Sequence, residues 1–235
     1  YPSAPSTYDK ATRENCVRLE RCCTSWCIVL KVGVIGMGVM GRNHARVLAG
    51  LKSVQLVALY DAFAVEGSNF QGVGVKRGLE DFFAEKLDYV VVASPTSTHL
   101  EYALILAQAG IHALIEKPVA SSVAEAQQVV SAFEDAKLVG AVGHIERFNP
   151  ALQALKRKIE EGLIGEVIQI STRRQGPFPG RIADVGVVKD LASHDIDLTS
   201  WIADSNYVDA TGKLAYRSGR IHEDSLVAVG ERSEE

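Results

Sequence analysis

The segment DLASHDID sets Asp190 and His194 four residues apart, a spacing that places both on one face of a helix. Asp197 follows three residues later. A histidine that titrates near neutrality, oriented by a carboxylate, suits taking the proton of an alcohol while hydride leaves the same carbon. Asp and His at this spacing also suit a metal, but no third clear ligand accompanies them, so no metal site is expected. A second charged pair, Glu116 and Lys117 in EKP, ends an apolar run. Charges are costly to bury without a purpose, and Lys117 can hold a substrate hydroxyl or share in its proton transfer; a surface ion pair is the plainer alternative.

A hydride needs an acceptor, and VGVIGMGVMGRNH offers a loop for one. The glycines follow an apolar strand pattern and open a helix. Gly36 would make the tight turn, Gly38 would let a pyrophosphate approach the backbone, and Gly41 would let helix and strand pack closely. Val39, Met40 and Gly41 then carry the free N–H groups of a helix N-terminus toward the phosphates. Asp61 closes the next strand, twenty residues after Gly41. Its carboxylate would accept hydrogen bonds from the adenosine ribose and repel a 2′-phosphate, which favours NAD over NADP. In ASPTSTH, Ser94, Pro95 and Thr96 would turn the chain beside the nicotinamide. His99 either caps and packs the next helix or contacts the cofactor.

The elements that must position these groups alternate from Lys31 onward. KVGVIG, VQLVALYD, DYVVVAS, IHALIEKP and LVGAVGH read as strands. Between them VMGRNHARVLAGL, GLEDFFAEK, THLEYALILAQAG and SSVAEAQQVVSAFEDAK read as helices, the last with a serine cap. Short strands separated by helices imply a doubly wound parallel α/β sheet over residues 31–145. The texture then changes. PALQALKRKIEEG and DLASHDIDLTSWIA read as helices, and QGPFPGR reads as a loop. EVIQISTRRQ, NYVDATGKLAYRS and DSLVAVGER read as strands. Residues 146–235 are thus expected to form a partial α+β domain on an antiparallel or mixed sheet. Its open edge invites pairing with a second copy.

Composition narrows the class. A net charge of -4 argues against nucleic acid or an anionic membrane as partner. No apolar run has the length of a membrane span. All four cysteines, Cys16, Cys22, Cys23 and Cys27, lie in residues 1–30, so the remainder suits a reducing cytosol. The adjacent Cys22 and Cys23, without paired CxxC knuckles, disfavour a zinc site. Residues 1–30 are expected to be an extension or transit-like segment outside the fold.

Together these segments resemble the Gfo/Idh/MocA oxidoreductase family, which includes glucose–fructose oxidoreductase and inositol dehydrogenase. GMGVMGRNH resembles its dinucleotide loop, SPTSTH its nicotinamide-side loop, EKP its lysine motif and DLASH its DxxxH motif. The resemblance implies a Rossmann domain, an open-sheet second domain, and a sugar or cyclitol bound between them. It makes Lys117 and His194 the catalytic pair, with Asp190 the acidic residue one turn before the histidine. GHIERFNPAL and GPFPGRIADVGVVKDLASHDIDL look most like the branch that oxidises UDP-N-acetylglucosamine-type sugars at C3. Glu146, Arg147 and Asn149 would then stand at the domain junction, facing substrate or serving as a polar hinge. The cysteine-rich leader has no counterpart in the family, and its members continue past this C-terminus with further strands. A non-catalytic NAD(H)-binding protein and a free-sugar or inositol dehydrogenase are the alternatives.

Overall fold

The computed structural model describes residues 29–176 and 186–233. The cysteine-rich segment up to Cys27 and most of the QGPFPGR loop lie outside them. Seven strands form the main sheet: β1 (Leu30–Ile35), β2 (Val54–Tyr60), β3 (Asn69–Phe70), β4 (Val73–Lys76), β5 (Tyr89–Val92), β6 (His112–Ile115) and β7 (Gly140–Val142). Their order is β3-β4-β2-β1-β5-β6-β7, and only β3 runs antiparallel to its neighbour. Helices α1 (Val39–Gly50), α2 (Leu79–Phe83), α3 (His99–Gln108) and α4 (Val123–Asp135) connect the strands.

Alternation along each strand explains why both sheet faces are covered. Val32 and Val34 of β1 and Val91 of β5 pack with Ala45 and Leu48 of α1. Ile35, Val90 and Val92 point the other way, into a cluster with Phe82, Leu106 and Phe133 of α2, α3 and α4. A strand buried on both faces reads as a continuous apolar run, which is how KVGVIG and DYVVVAS look in the sequence. Ser122 caps α4 by accepting the Glu125 N–H at 3.2 Å.

The β3–β4 hairpin is absent from the sequence expectations. Its strands are short, and its turn uses Gln71 (φ +55) and Gly72 (φ +81), two left-handed residues that suit a tight hairpin. It blunts the edge of the parallel sheet beside β2.

Beyond β7 lie α5 (Pro150–Glu160), a single π turn (Val188–Ala192), α6 (Ser193–Ala203), β8 (Tyr207–Ala215) and β9 (Ser225–Arg232). The expected strand EVIQISTRRQ is corrected: residues 166–175 adopt no regular element. An alternating pattern becomes a strand only with a ladder beside it. Among the described residues β8 and β9 pair only with each other, and Ile168 stays 94% exposed. The β8–β9 ribbon is antiparallel, as expected for the second sheet, and most of its side chains are exposed on both faces.

Candidate active site

The chain leaves β1 toward β2 on one side, while β5 pairs on the other. This reversal opens a crevice beyond the carboxyl ends of β1 and β5, where open α/β sheets hold their ligands. The glycine loop lines it. Gly36 has φ +88, and a Cβ there would come within 2.7 Å of the Ala93 carbonyl. A Cβ on Gly41 would lie 1.7 Å from the Gly36 carbonyl oxygen. Gly38 differs: its φ is -66, and nothing lies within 4 Å of a Cβ built on it. The protein itself requires the first and third glycines, and the second faces open space. Val39, Met40 and Gly41 form the first turn of α1, which has no side-chain cap; their N–H groups are free of helical partners. This cradle fits a pyrophosphate.

Asp61 stands at the end of β2. One carboxylate oxygen accepts the Met37 N–H and the other the Phe63 N–H, each at 2.9 Å. The side chain therefore pins the glycine loop, and each oxygen keeps a lone pair for a ribose hydroxyl. Next to it opens a cleft of about 570 Å³ lined by Ala62, Glu66, Lys76, Arg77 and Asp81.

The two loops that follow β5 and β6 meet through a histidine. Ser94 and Thr98 share a hydroxyl hydrogen bond of 2.8 Å, and the Thr98 hydroxyl donates to the Pro95 carbonyl at 2.8 Å. Pro95 and Thr96 form the turn between them. His99 is 1% exposed. Its Nδ1 lies 3.0 Å from the Pro118 carbonyl and its Nε2 2.9 Å from the Ser94 carbonyl. With each ring nitrogen facing a backbone carbonyl below the surface, His99 turns its polar atoms away from the crevice. Of its two readings the geometry favours packing, because the first residue of α3 points into the core.

The structure brings Lys117 and Asp190 into contact, with His194 close enough to feel both charges. The Lys117 ammonium donates to the Asp190 carbonyl at 2.7 Å and to its carboxylate at 3.1 Å. Asp190 thus holds the lysine, not the histidine. Among the described residues no hydrogen bond engages the His194 ring. Burial, together with the charges of Lys117 and Arg174, keeps its pKa below the ordinary 6.5 against the opposing pull of Glu146 and Asp190. At pH 7 the ring is neutral and can accept a proton.

Several partners were not foreseen. His44, in α1, places Nε2 2.7 Å from Glu116 Oε1, linking the glycine-loop helix to the EKP segment. His144 follows β7 with Nδ1 3.5 Å from Asp197. Burial lowers its pKa, although Asp197 pulls the other way. Arg147 grips both oxygens of Asp197, and its Nε bond is 2.9 Å. Arg174 joins Glu146 at 3.1 Å and Asp195 at 3.3 Å. Asn149 accepts the Ala151 N–H at 3.1 Å and caps α5, as the hinge reading of that residue has it. The only sequence signal for His44 was its place within the glycine-loop helix. His144, Asp197 and Arg174 gave none as partners, since they meet across tens of residues of chain. Among the described residues no group of three or more His, Cys, Asp or Glu side chains is placed to hold a metal. No described helix is long and apolar enough to cross a membrane.

Comparison with known proteins agrees with this fold. Residues 30–144 match the profile of the oxidoreductase family with an NAD-binding Rossmann fold, and residues 152–231 match the Gfo/Idh/MocA C-terminal domain. The chain belongs to the Gfo/Idh/MocA oxidoreductase family. Its relatives include the UDP-N-acetylglucosamine 3-dehydrogenase of Acidithiobacillus ferrooxidans, 34% identical over 77% of this chain and 57% of the relative. Inositol 2-dehydrogenase 2 of Saccharopolyspora erythraea is 31% identical over 84% of this chain and 60% of the relative. A solved structure of the Acidithiobacillus ferrooxidans enzyme matches with a TM-score of 0.77 and 31% identity, over 87% of this chain and 66% of that one. This Gfo/Idh/MocA chain therefore spans less than two thirds of the length of these relatives.

Proposed function

We propose that this protein is an NAD-dependent dehydrogenase that oxidises a secondary alcohol of a sugar ring, with C3 of a UDP-N-acetylhexosamine or its uronate as the favoured position. The observation that carries the reading is the Lys117–Asp190 pair set beside a neutral His194 whose ring no described residue engages, next to a loop shaped for a dinucleotide. Residues 31–145 serve as the cofactor unit, and residues 146–235 supply Asp190, His194 and the surroundings of the substrate.

Bound in the crevice, NAD would supply the hydride acceptor. Gly36, Gly38 and the α1 N-terminus hold its pyrophosphate, Asp61 its adenosine ribose, and Ser94 to Thr96 border the nicotinamide. Lys117, directed by Asp190, donates a hydrogen bond to the hydroxyl oxygen that becomes a carbonyl. His194 accepts the hydroxyl proton. NAD is favoured over NADP because a 2′-phosphate would approach the Asp61 carboxylate, whose charge opposes it.

The nucleotide-sugar reading rests on the likeness to UDP-N-acetylglucosamine 3-dehydrogenase. The inositol 2-dehydrogenases among the relatives support a cyclitol as the second reading. Incubating the protein with NAD and a panel of UDP-sugars, free sugars and inositols, and following NADH absorbance, separates the two. Turnover of inositol but no UDP-sugar would reject the first. NAD binding with no turnover of any member would leave a cofactor-binding protein and reject both.

A further inference from the structure

We infer that His99 is a positioning residue that ties the nicotinamide-side loop to the Lys117 loop, so that cofactor and acid/base groups keep one mutual geometry. The inference rests on the proposed roles of residues 94–96 and Lys117, but the tie itself is a property of the chain. His99 opens α3, the helix between β5 and β6, and both flanking loops close over it. Its Nε2 faces the carbonyl of Ser94, directly after β5, at 2.9 Å. Its Nδ1 faces the carbonyl of Pro118, one residue past Lys117, at 3.0 Å.

Both carbonyls can only accept, so each loop is held by the ring N–H that faces it; a neutral ring makes one bond at a time and an imidazolium makes both. At 1% exposure, water cannot replace a lost bond, and an unpaired carbonyl in this place is costly. Two further links brace the same loops: Ser94 to Thr98, and Lys117 to Asp190. His99 joins one to the other. At this depth its ring faces backbone and not the crevice. A small shift at His99 would thus be felt as a misplaced Lys117, and misplacement by about 1 Å can cost on the order of 100-fold in rate.

The two nitrogens can be tested separately. The amide of Asn reaches about as far as Nδ1, and that of Gln about as far as Nε2. His99→Asn should therefore keep the Pro118 tie and lose the Ser94 tie. His99→Gln should do the reverse, and His99→Leu should lose both. In the protein without added ligand, hydrogen exchange should quicken at residues 94–98 in the Asn variant, at 116–120 in the Gln variant, and at both in the Leu variant. NAD affinity, measured by fluorescence titration, should fall about tenfold with Asn and Leu. With a turned-over substrate, kcat should fall about tenfold or more with Gln and Leu, while Asn stays within a few-fold. Exchange that quickens uniformly through α3 in all three variants, with no split between Kd and kcat, would make His99 a core residue only and overturn the inference. Unchanged exchange and NAD affinity in the Leu variant would overturn it equally. Exchange and NAD affinity are read without turnover, so a protein that oxidises no substrate would refute the proposed function while the tie is still decided.

Discussion

Replacing Gly38 and Gly41 by alanine should separate two roles that the glycine pattern runs together. At Gly41 a Cβ would sit 1.7 Å from the Gly36 carbonyl oxygen, where ordinary contact begins at 3.4 Å. The obstacle is backbone, so α1 must retreat by about half that contact distance or the turn must open. Overpacking of this kind costs about 1–3 kcal/mol, which in a protein of this size lowers Tm by roughly 2–12 °C. At Gly38 the backbone is already compatible with alanine, with φ -66 and nothing within 4 Å. Alanine there should stabilise the ligand-free protein by about 0.4–1 kcal/mol through the unfolded chain, raising Tm by about 1–4 °C. Yet the open space at Gly38 is where the pyrophosphate would approach. A methyl group there should weaken NAD by about 1–3 kcal/mol, roughly 5- to 150-fold in Kd. Thermal melts without ligand, paired with fluorescence titration of NAD, give both numbers for each variant. Wild-type NAD affinity in Gly38→Ala would refute the assignment of this loop to the cofactor. A lowered Tm in that variant would refute the claim that the space is open.

Lys117→Met should reduce turnover by about 10²–10⁴-fold, measured as NADH release, while NAD affinity changes far less; equal losses in both would place Lys117 in cofactor binding alone. The His194 pKa lies below 6.5 partly because of Lys117, so the acid limb of turnover should fall below pH 6.5. The His194 pKa measured by NMR should rise in Lys117→Met, and a fall would contradict the charge arrangement. His144 and His194 both have lowered values in the fold. The unfolded chain therefore binds more protons below pH 6.5, and the stability they contribute is full above that pH and lost as pH falls through the lowered values. Tm measured from pH 7.5 down to 5 should fall, and a flat profile would count against the burial of these rings. Asp61→Asn should narrow the preference for NAD over NADP; Asn is the better probe than Ala because its carbonyl can keep one of the backbone hydrogen bonds that hold the loop. Direct comparison of the two Kd values checks this, and an unchanged ratio would remove Asp61 from cofactor choice.

The sequence by itself determined the parallel sheet and the glycine loop, and it marked Lys117, Asp190 and His194 as candidates, because each is written in local pattern. Strands buried on both faces are continuous apolar runs, and a glycine with φ +88 leaves its mark as a missing side chain. Where a signal depended on what lies alongside, it failed. EVIQISTRRQ alternates as a strand should, but among the described residues no partner ladder forms beside it. The β3–β4 hairpin was too short for any periodicity to show. His99 was equally consistent with a cofactor contact and a packed residue until its two carbonyl partners, one on each flanking loop, were in place. The same holds for His44 with Glu116 and for Arg147 with Asp197. Asp190 was expected to orient His194, four residues away, and instead holds Lys117 from 73 residues away. Sequence spacing determines which side chains share a face of one element. Which of them bond is decided by the elements packed against that face, and only the tertiary structure brings those together.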